Sequence, residues 1–168
     1  FTIDEDSGAR AFVTALIPPG GLLLFGSDHI ERDGDGVAVG ARNSLFALDA
    51  QGVIHGRYDK AHLVPGGEYL PFRSLMEPIG LARLVPGTLD FWGGPGPRTL
   101  HLPGPYGTWL PPVGVQICYE IIFPARVVDA ADRGDPSRGL GRPDIIIVVE
   151  PLAQVPGLGP AEPPVETE

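Results

Sequence analysis

One cysteine, Cys118, lies in Ile117-Cys118-Tyr119-Glu120-Ile121-Ile122-Phe123-Pro124. A lysine and a glutamate stand eight positions apart in Tyr58-Asp59-Lys60-Ala61-His62-Leu63-Val64-Pro65-Gly66-Gly67-Glu68-Tyr69-Leu70-Pro71-Phe72. A thiol attacks as its thiolate, which a neighbouring cation and a proton acceptor favour. Cys118 follows the apolar run Val113-Gly114-Val115-Gln116-Ile117 and precedes polar Tyr119-Glu120, so it falls at a strand end, where α/β proteins carry their active sites. Taken singly, such a cysteine is more often a small buried hydrophobe, Lys60 a solvated surface charge, and Glu68 an exposed loop carboxylate. Together they argue for a nucleophilic centre in which the Lys60 ammonium faces a developing oxyanion. His62 offers a Cys–His pairing as the weaker alternative. His29, His55 and His101 sit singly, without metal-ligand spacing, and no metal is expected.

The elements that must position these residues alternate between helical and strand patterns, the mark of a layered α/β domain. Residues 9–16 are predicted as a helix ended by Pro18-Pro19-Gly20, and residues 21–27 as a buried strand. Asp33-Gly34-Asp35-Gly36 is a turn. Residues 41–47 and 53–59 read as a hairpin closed by Asp49-Ala50-Gln51-Gly52, which delivers Lys60 at its exit. Residues 113–118 form a strand ending in Cys118, residues 123–132 a helix with Pro124 in its first turn, and residues 143–149 another buried strand. Trp92, Tyr106 and Trp109 lie in a Gly/Pro-rich stretch and are assigned to packing, with lipid contact as the alternative for Phe91 and Trp92.

The 168 residues fit one domain with a sizeable core, and 43% hydrophobic content with a mean hydropathy of +0.09 is that of a globular protein. A net charge of −9, with 12 scattered Lys and Arg, excludes nucleic acid as a partner. The 24 glycines and 20 prolines separate apolar blocks without a fixed period, which indicates a loop-rich domain rather than low complexity. No apolar run approaches the ~20 residues that cross a bilayer, and the start lacks signal-peptide character. The chain opens on Phe1, and is expected to be a piece of a longer protein. A single cysteine cannot close an internal disulfide.

The Tyr-Asp-Lys and Ile-Cys-Tyr-Glu blocks resemble the nitrilase (carbon-nitrogen hydrolase) superfamily. The Leu-Val-Pro run through Gly67-Glu68-Tyr69-Leu70-Pro71 looks like its apolipoprotein N-acyltransferase branch. The resemblance covers residues 20–149, with further anchors at residues 22–27, Asn43-Ser44 and Pro86-Gly87. It implies an α/β fold, the nitrilase-like αββα sandwich, incomplete here: residues 1–149 are a partial catalytic domain and residues 150–168 a divergent, disordered tail. By the same resemblance Cys118 is the nucleophile, Lys60 the oxyanion cation and Glu68 the carboxylate that orients it. Tyr119 supplies a backbone N–H to the oxyanion, and Glu120 assists beside it. The implied activity is N-acylation of the diacylglyceryl-cysteine N-terminus of apolipoproteins from a phospholipid donor, through a thioester on cysteine and with no dissociable cofactor. The implied place is the periplasmic face of a bacterial inner membrane, held by helices outside this chain.

The family's general-base glutamate, in a Pro-Glu motif, is expected upstream of Phe1; Glu5 lacks that context. Gly66 stands where the family has Phe, and Glu150-Pro151-Leu152-Ala153-Gln154 replaces an Asn-Asp-x-Trp-Phe segment. The alternatives are a soluble nitrilase-type amidase acting on a small C–N bond, and an inactive nitrilase-like fragment. Expressed by itself, the 168-residue chain is expected to be inactive and poorly soluble, because residues 22–27 and 145–149 would offer apolar strand edges. Size measurement, thermal unfolding and incubation with phospholipid test this. A cooperative monomer acylated on Cys118 would refute it.

Overall fold

The computed structural model describes residues 2–65, 68–69, 89–123 and 145–149. The predicted helix over 123–132, apart from Phe123, and the tail 150–168 lie outside the described residues. Helix α1 (Ser7–Thr14) starts two residues before the apolar pattern does, because its first turn is set by a cap. The Asp6 carboxylate accepts the Ala9 N–H at 2.9 Å. Val13 of α1, with Ile3 and Ile17, packs on Phe46 and Leu48.

Three antiparallel strands follow in the order β1 (Leu22–Arg32), β2 (Ala38–Asp49), β3 (Ile54–Asp59). Both turns between them use one device. Asp33 accepts from the N–H groups of Asp35 (3.0 Å) and Val37 (2.9 Å), and Asp49 from those of Gln51 and Val53 (both 2.9 Å). Gly36 and Gly52 then take φ of 79° and 80°, a conformation that costs glycine nothing.

Strand β2 is buried on both faces. Leu45 and Ala47 point to one side, Phe46 and Leu48 to the other, as a period of two requires. The expectation of a buried strand at residues 21–27 needs correction: β1 runs on to Arg32, and every residue of it except the exposed Arg32 is half-buried, because it is an edge of the described sheet.

The second sheet comprises β4 (Thr99–Leu100), β5 (Val113–Ile117) and β6 (Ile145–Val149), with β5 central, antiparallel to β4 and parallel to β6. Leu45, Ala47 and Tyr58 of the first sheet meet Leu100, Leu102, Val113, Val115 and Ile117 of the second in one core. Each such fully buried aliphatic side chain contributes roughly 1.5–3 kcal/mol. Helix, sheet and sheet are three successive layers, in the order the expected αββα sandwich requires. The β5–β6 pair is parallel, so a long crossover must join the strands. That crossover begins at Cys118.

Two aromatic expectations change. Tyr106 and Trp109 are exposed rather than packed, because the β4–β5 connection closes on its own backbone, Gly104 N–H to Thr108 O at 2.8 Å, and turns both rings outward. Trp92 is exposed on one side and lies against Gly40, with the Arg42 guanidinium 5.9 Å from its ring centroid.

Gly94 passes so close to the end of β3 that its N–H donates to Lys60 O at 2.7 Å, and a Cβ there would run into the Asp59 carbonyl. That obstacle is backbone and cannot swing away. Gly94→Ala is expected to cost about 1–3 kcal/mol in denaturant unfolding. Gly34→Ala, with open space around it, should stay within about 0.5 kcal/mol. Equal losses in the two variants would dismiss the steric account.

Candidate active site

Lys60 leaves β3 with its backbone held on both sides: its N–H donates to Asn43 O at 2.8 Å, and its carbonyl accepts from Gly94. Its side chain is fully buried, against the ordinary behaviour of lysine, and Nζ lies 2.8 Å from Glu68 Oε1. Glu68 is in turn oriented by Val64 N–H on Oε2 at 2.8 Å and Asn43 Nδ2 on Oε1 at 3.3 Å. Neither the solvated lysine nor the exposed loop glutamate is what folds. A buried ion pair of this kind is held by its hydrogen bonds, and loss of either partner strands the other charge.

Strand β5 stops at Ile117, one residue before the expected end. Cys118 takes φ of 57°, in the left-handed region, and opens the 3₁₀ helix Cys118–Ile122. A non-glycine residue there carries about 1–3 kcal/mol of strain, and it persists only where the surroundings enforce it. A strained strand-to-helix turn also lifts the side chain off the sheet, as nucleophiles of hydrolases require. The thiol residue is partly exposed.

The enforcement comes from Glu120. Its buried carboxylate accepts Ile117 N–H at 2.9 Å on Oε2, Ala61 N–H at 2.8 Å and His62 N–H at 2.9 Å on Oε1, and the Tyr58 hydroxyl at 3.2 Å. Its carbonyl accepts Gln116 Nε2 at 3.2 Å and Phe123 N–H at 3.0 Å. One side chain therefore ties the exit of β3 to the exit of β5. Burial, then the Glu120 charge, pushes the Tyr58 phenol well above the usual tyrosine range, so it remains a donor.

Tyr119 completes the link. Its ring centroid is 5.3 Å from Lys60 Nζ, a cation–π distance, and its hydroxyl donates to Leu63 O at 2.8 Å. Burial, followed by the carboxylates of Glu68 and Glu120, raises its phenol pKa as well. The His62 ring stacks on Phe123 at 4.9 Å with Nδ1 3.6 Å from Glu120 Oε1, which makes it part of the wall.

Lys60, Glu68, Cys118, Tyr119 and Glu120 thus meet at one end of the two sheets. Asn43 and Tyr58 belong with them, although sequence reasoning assigned neither a role; both stood inside matched blocks, which was the available signal. Glu5 forms a surface ion pair with Arg32, at 2.7 and 2.8 Å.

A family model described as carbon-nitrogen hydrolase matches residues 20–135. The chain belongs to the carbon-nitrogen hydrolase family. Within that family it is 37% identical over 134 residues to an apolipoprotein N-acyltransferase of Rhodopseudomonas palustris, covering 79% of this chain and 24% of that protein. It is 34% identical over 128 residues to one of Allorhizobium ampelinum, covering 76% and 23%. The chain therefore spans about a quarter of the length of the curated relatives it matches. Among solved structures, an N-terminal amidase overlaps at a TM-score of 0.40 and 15% identity, covering 71% of this chain and 25% of its own, too loose to inform the site. No helix among the described residues is long and apolar enough to cross a membrane.

Glu120→Gln keeps the shape of the clamp but turns an NH₂ group toward backbone N–H donors. Losing charge-assisted acceptance and leaving a buried donor unpaired should cost about 2–4 kcal/mol in denaturant unfolding. A loss below about 0.5 kcal/mol would show that the carboxylate does not hold the two strand ends together.

Proposed function

We propose that this chain carries the acyl-transfer centre of an apolipoprotein N-acyltransferase, working through a thioester on Cys118. The observation that carries the reading is a strained, partly exposed cysteine followed directly by Tyr119, whose ring centroid lies 5.3 Å from Nζ of the fully buried Lys60, itself paired with Glu68. The name of the curated relatives supports N-acylation of an apolipoprotein; in this reading the acyl donor is a phospholipid and the acceptor the diacylglyceryl-cysteine N-terminus. Their place would be the bacterial inner membrane, with the catalytic domain facing the periplasm.

In the first half-reaction the Cys118 sulfur adds to the ester carbonyl of the donor. The developing oxyanion is met by the Lys60 ammonium and the Tyr119 backbone N–H. The carbon–oxygen bond then breaks, and the lysophospholipid leaves with a proton on its oxygen. In the second half-reaction the acceptor amine adds to the thioester carbonyl, the carbon–sulfur bond breaks, and the thiol is regenerated. Glu68 acts by holding the ammonium in place, and Glu120 by holding Cys118 and the Lys60 exit in register. Two substrates visiting one nucleophile in turn give ping-pong kinetics.

A water molecule replacing the amine would make the same centre an amidase or esterase, so the discriminating measurement is the product. In the full-length gene product supplied with phospholipid vesicles, Cys118→Ala is expected to abolish both the acyl adduct and transfer to a diacylglyceryl-cysteine peptide. Lys60→Arg is expected to lose about 10²–10³ in rate despite keeping the charge, because a planar guanidinium cannot occupy the buried ammonium site. Intact-mass analysis reads the adduct and chromatography the N-acylated peptide. Hydrolysis of small amides without any acyl adduct from phospholipid would overturn the reading.

A further inference from the structure

Lys60 stands at the exit of β3 and Glu68 in the loop beyond it, and residues 90–94 tie the two together through the backbone. The Phe91 N–H donates to Glu68 O at 3.1 Å, and the Gly94 N–H to Lys60 O at 2.7 Å. The same segment is fastened to β2. There the Ala41 N–H donates to Asp90 O at 3.1 Å and the Trp92 N–H to Ala41 O at 2.7 Å, a parallel bridge beside Gly40. A slip of residues 90–94 along β2 would therefore carry both members of the ion pair with it.

The Trp92 ring is what opposes such a slip. Gly40 is a residue of β2 without a positive φ, so its backbone does not require glycine. Its neighbour does: a Cβ there would stand 2.5 Å from Trp92 Cε2, 2.7 Å from Nε1 and 2.9 Å from Cδ2, in the middle of the indole. Glycine inside a strand is costly and marks a place where another group comes close. Arg42, two positions on and so on the same face of β2, sets its guanidinium 5.9 Å from the ring centroid. Arg42 is itself paired with Glu31 and donates to Gly93 O, so it grips the segment on the next residue as well. The indole belongs to neither apolar core cluster and is 41% exposed. It fills a slot on the sheet, and the slot sets the register of residues 90–94.

We propose that Trp92, seated on Gly40, is a positioning residue for the Lys60–Glu68 pair, a role that rests on acyl transfer being the chemistry of the Cys118 centre. The ring fixes residues 90–94 on β2. Those residues, through the Phe91 and Gly94 N–H groups, fix the backbones from which the Glu68 carboxylate and the Lys60 ammonium reach each other at 2.8 Å. An ammonium that must meet an oxyanion tolerates little displacement, since a misplacement of ~1 Å costs about 10²-fold in rate. Loosening the ring therefore slows the chemical step and leaves binding of the donor as it was.

The test follows acyl loading of Cys118 by intact mass in the full-length gene product, with phospholipid vesicles as donor. Trp92→Ala is expected to lower the limiting loading rate about 10- to 10²-fold, with the half-saturating phospholipid concentration unchanged within about twofold. Trp92→Phe, whose flat ring still fits over Gly40, should load within about threefold of the wild type. Gly40→Ala should reproduce the loss of Trp92→Ala, and the double variant should fall no more than about twofold below either, because both changes remove one contact. In a Lys60→Arg background, where the ammonium is already gone, adding Trp92→Ala should change loading by less than about twofold. Wild-type loading by Trp92→Ala overturns the role and leaves the acyl-transfer reading standing. A raised half-saturating concentration with the limiting rate unchanged also overturns it, by making Trp92 a lipid contact. A full loss in the Lys60→Arg background does so by making Trp92 act apart from Lys60, and a smaller loadable fraction at an unchanged rate by making it a folding residue only. Failure of the wild type to load Cys118 overturns the reading of the centre itself, and this role with it.

Discussion

Everything at the functional end of this fold depends on the buried carboxylate of Glu120. An anion out of water must be solvated by protein donors, and here the donors are drawn from two chain segments that meet only in the folded state: Tyr58, Ala61 and His62 from the exit of β3, and Ile117 from the exit of β5. Satisfying the charge therefore forces the two exits together. The same bond to Ile117 N–H bends the chain so that Cys118 adopts its left-handed backbone. The strain in the nucleophile is offset by the solvation of a neighbouring charge.

A second buried charge lies beside the first, under different rules. Lys60 and Glu68 neutralise each other, and the remaining acceptor capacity of Glu68 is filled by Val64 and Asn43. Among the described residues Glu120 has no lysine or arginine in contact and is held by neutral donors, apart from a histidine at the edge of reach. One carboxylate positions a charge and the other positions a backbone. The sandwich core beneath them, with Leu45 and Tyr58 against Val115 and Ile117, supplies the rigidity that lets such bonds hold their lengths.

Local features were the readable ones. The hairpin that delivers Lys60 was legible because each of its turns is written in an Asp and a Gly a few residues apart, and such turns form without distant help. Helix α1 was legible to within two residues, the error arising because a cap and not an apolar residue begins it. The burial of β1 was not legible: an apolar run looks the same in a central strand and at an edge, and only its neighbours decide. The outward rings of Tyr106 and Trp109 escaped for a like reason, since an aromatic residue in a glycine-rich loop carries no mark of which way it faces.

The sequence by itself determined the chemical inventory and its local settings: one thiol at the end of a strand pattern, a lysine at the exit of a hairpin, and two glutamates close by. It also carried the motifs by which the carbon-nitrogen hydrolase family is known. Only the tertiary structure decided which carboxylate serves which partner, that Lys60 lies wholly inside, and that Asn43 and Tyr58 complete the site. The reason is physical. Some of those contacts are local, as Lys60 with Glu68, but Asn43 reaches Glu68 across 25 positions and Tyr58 reaches Glu120 across 62, and the energy of such a distant contact exists only once two sheets have packed and excluded water from between them.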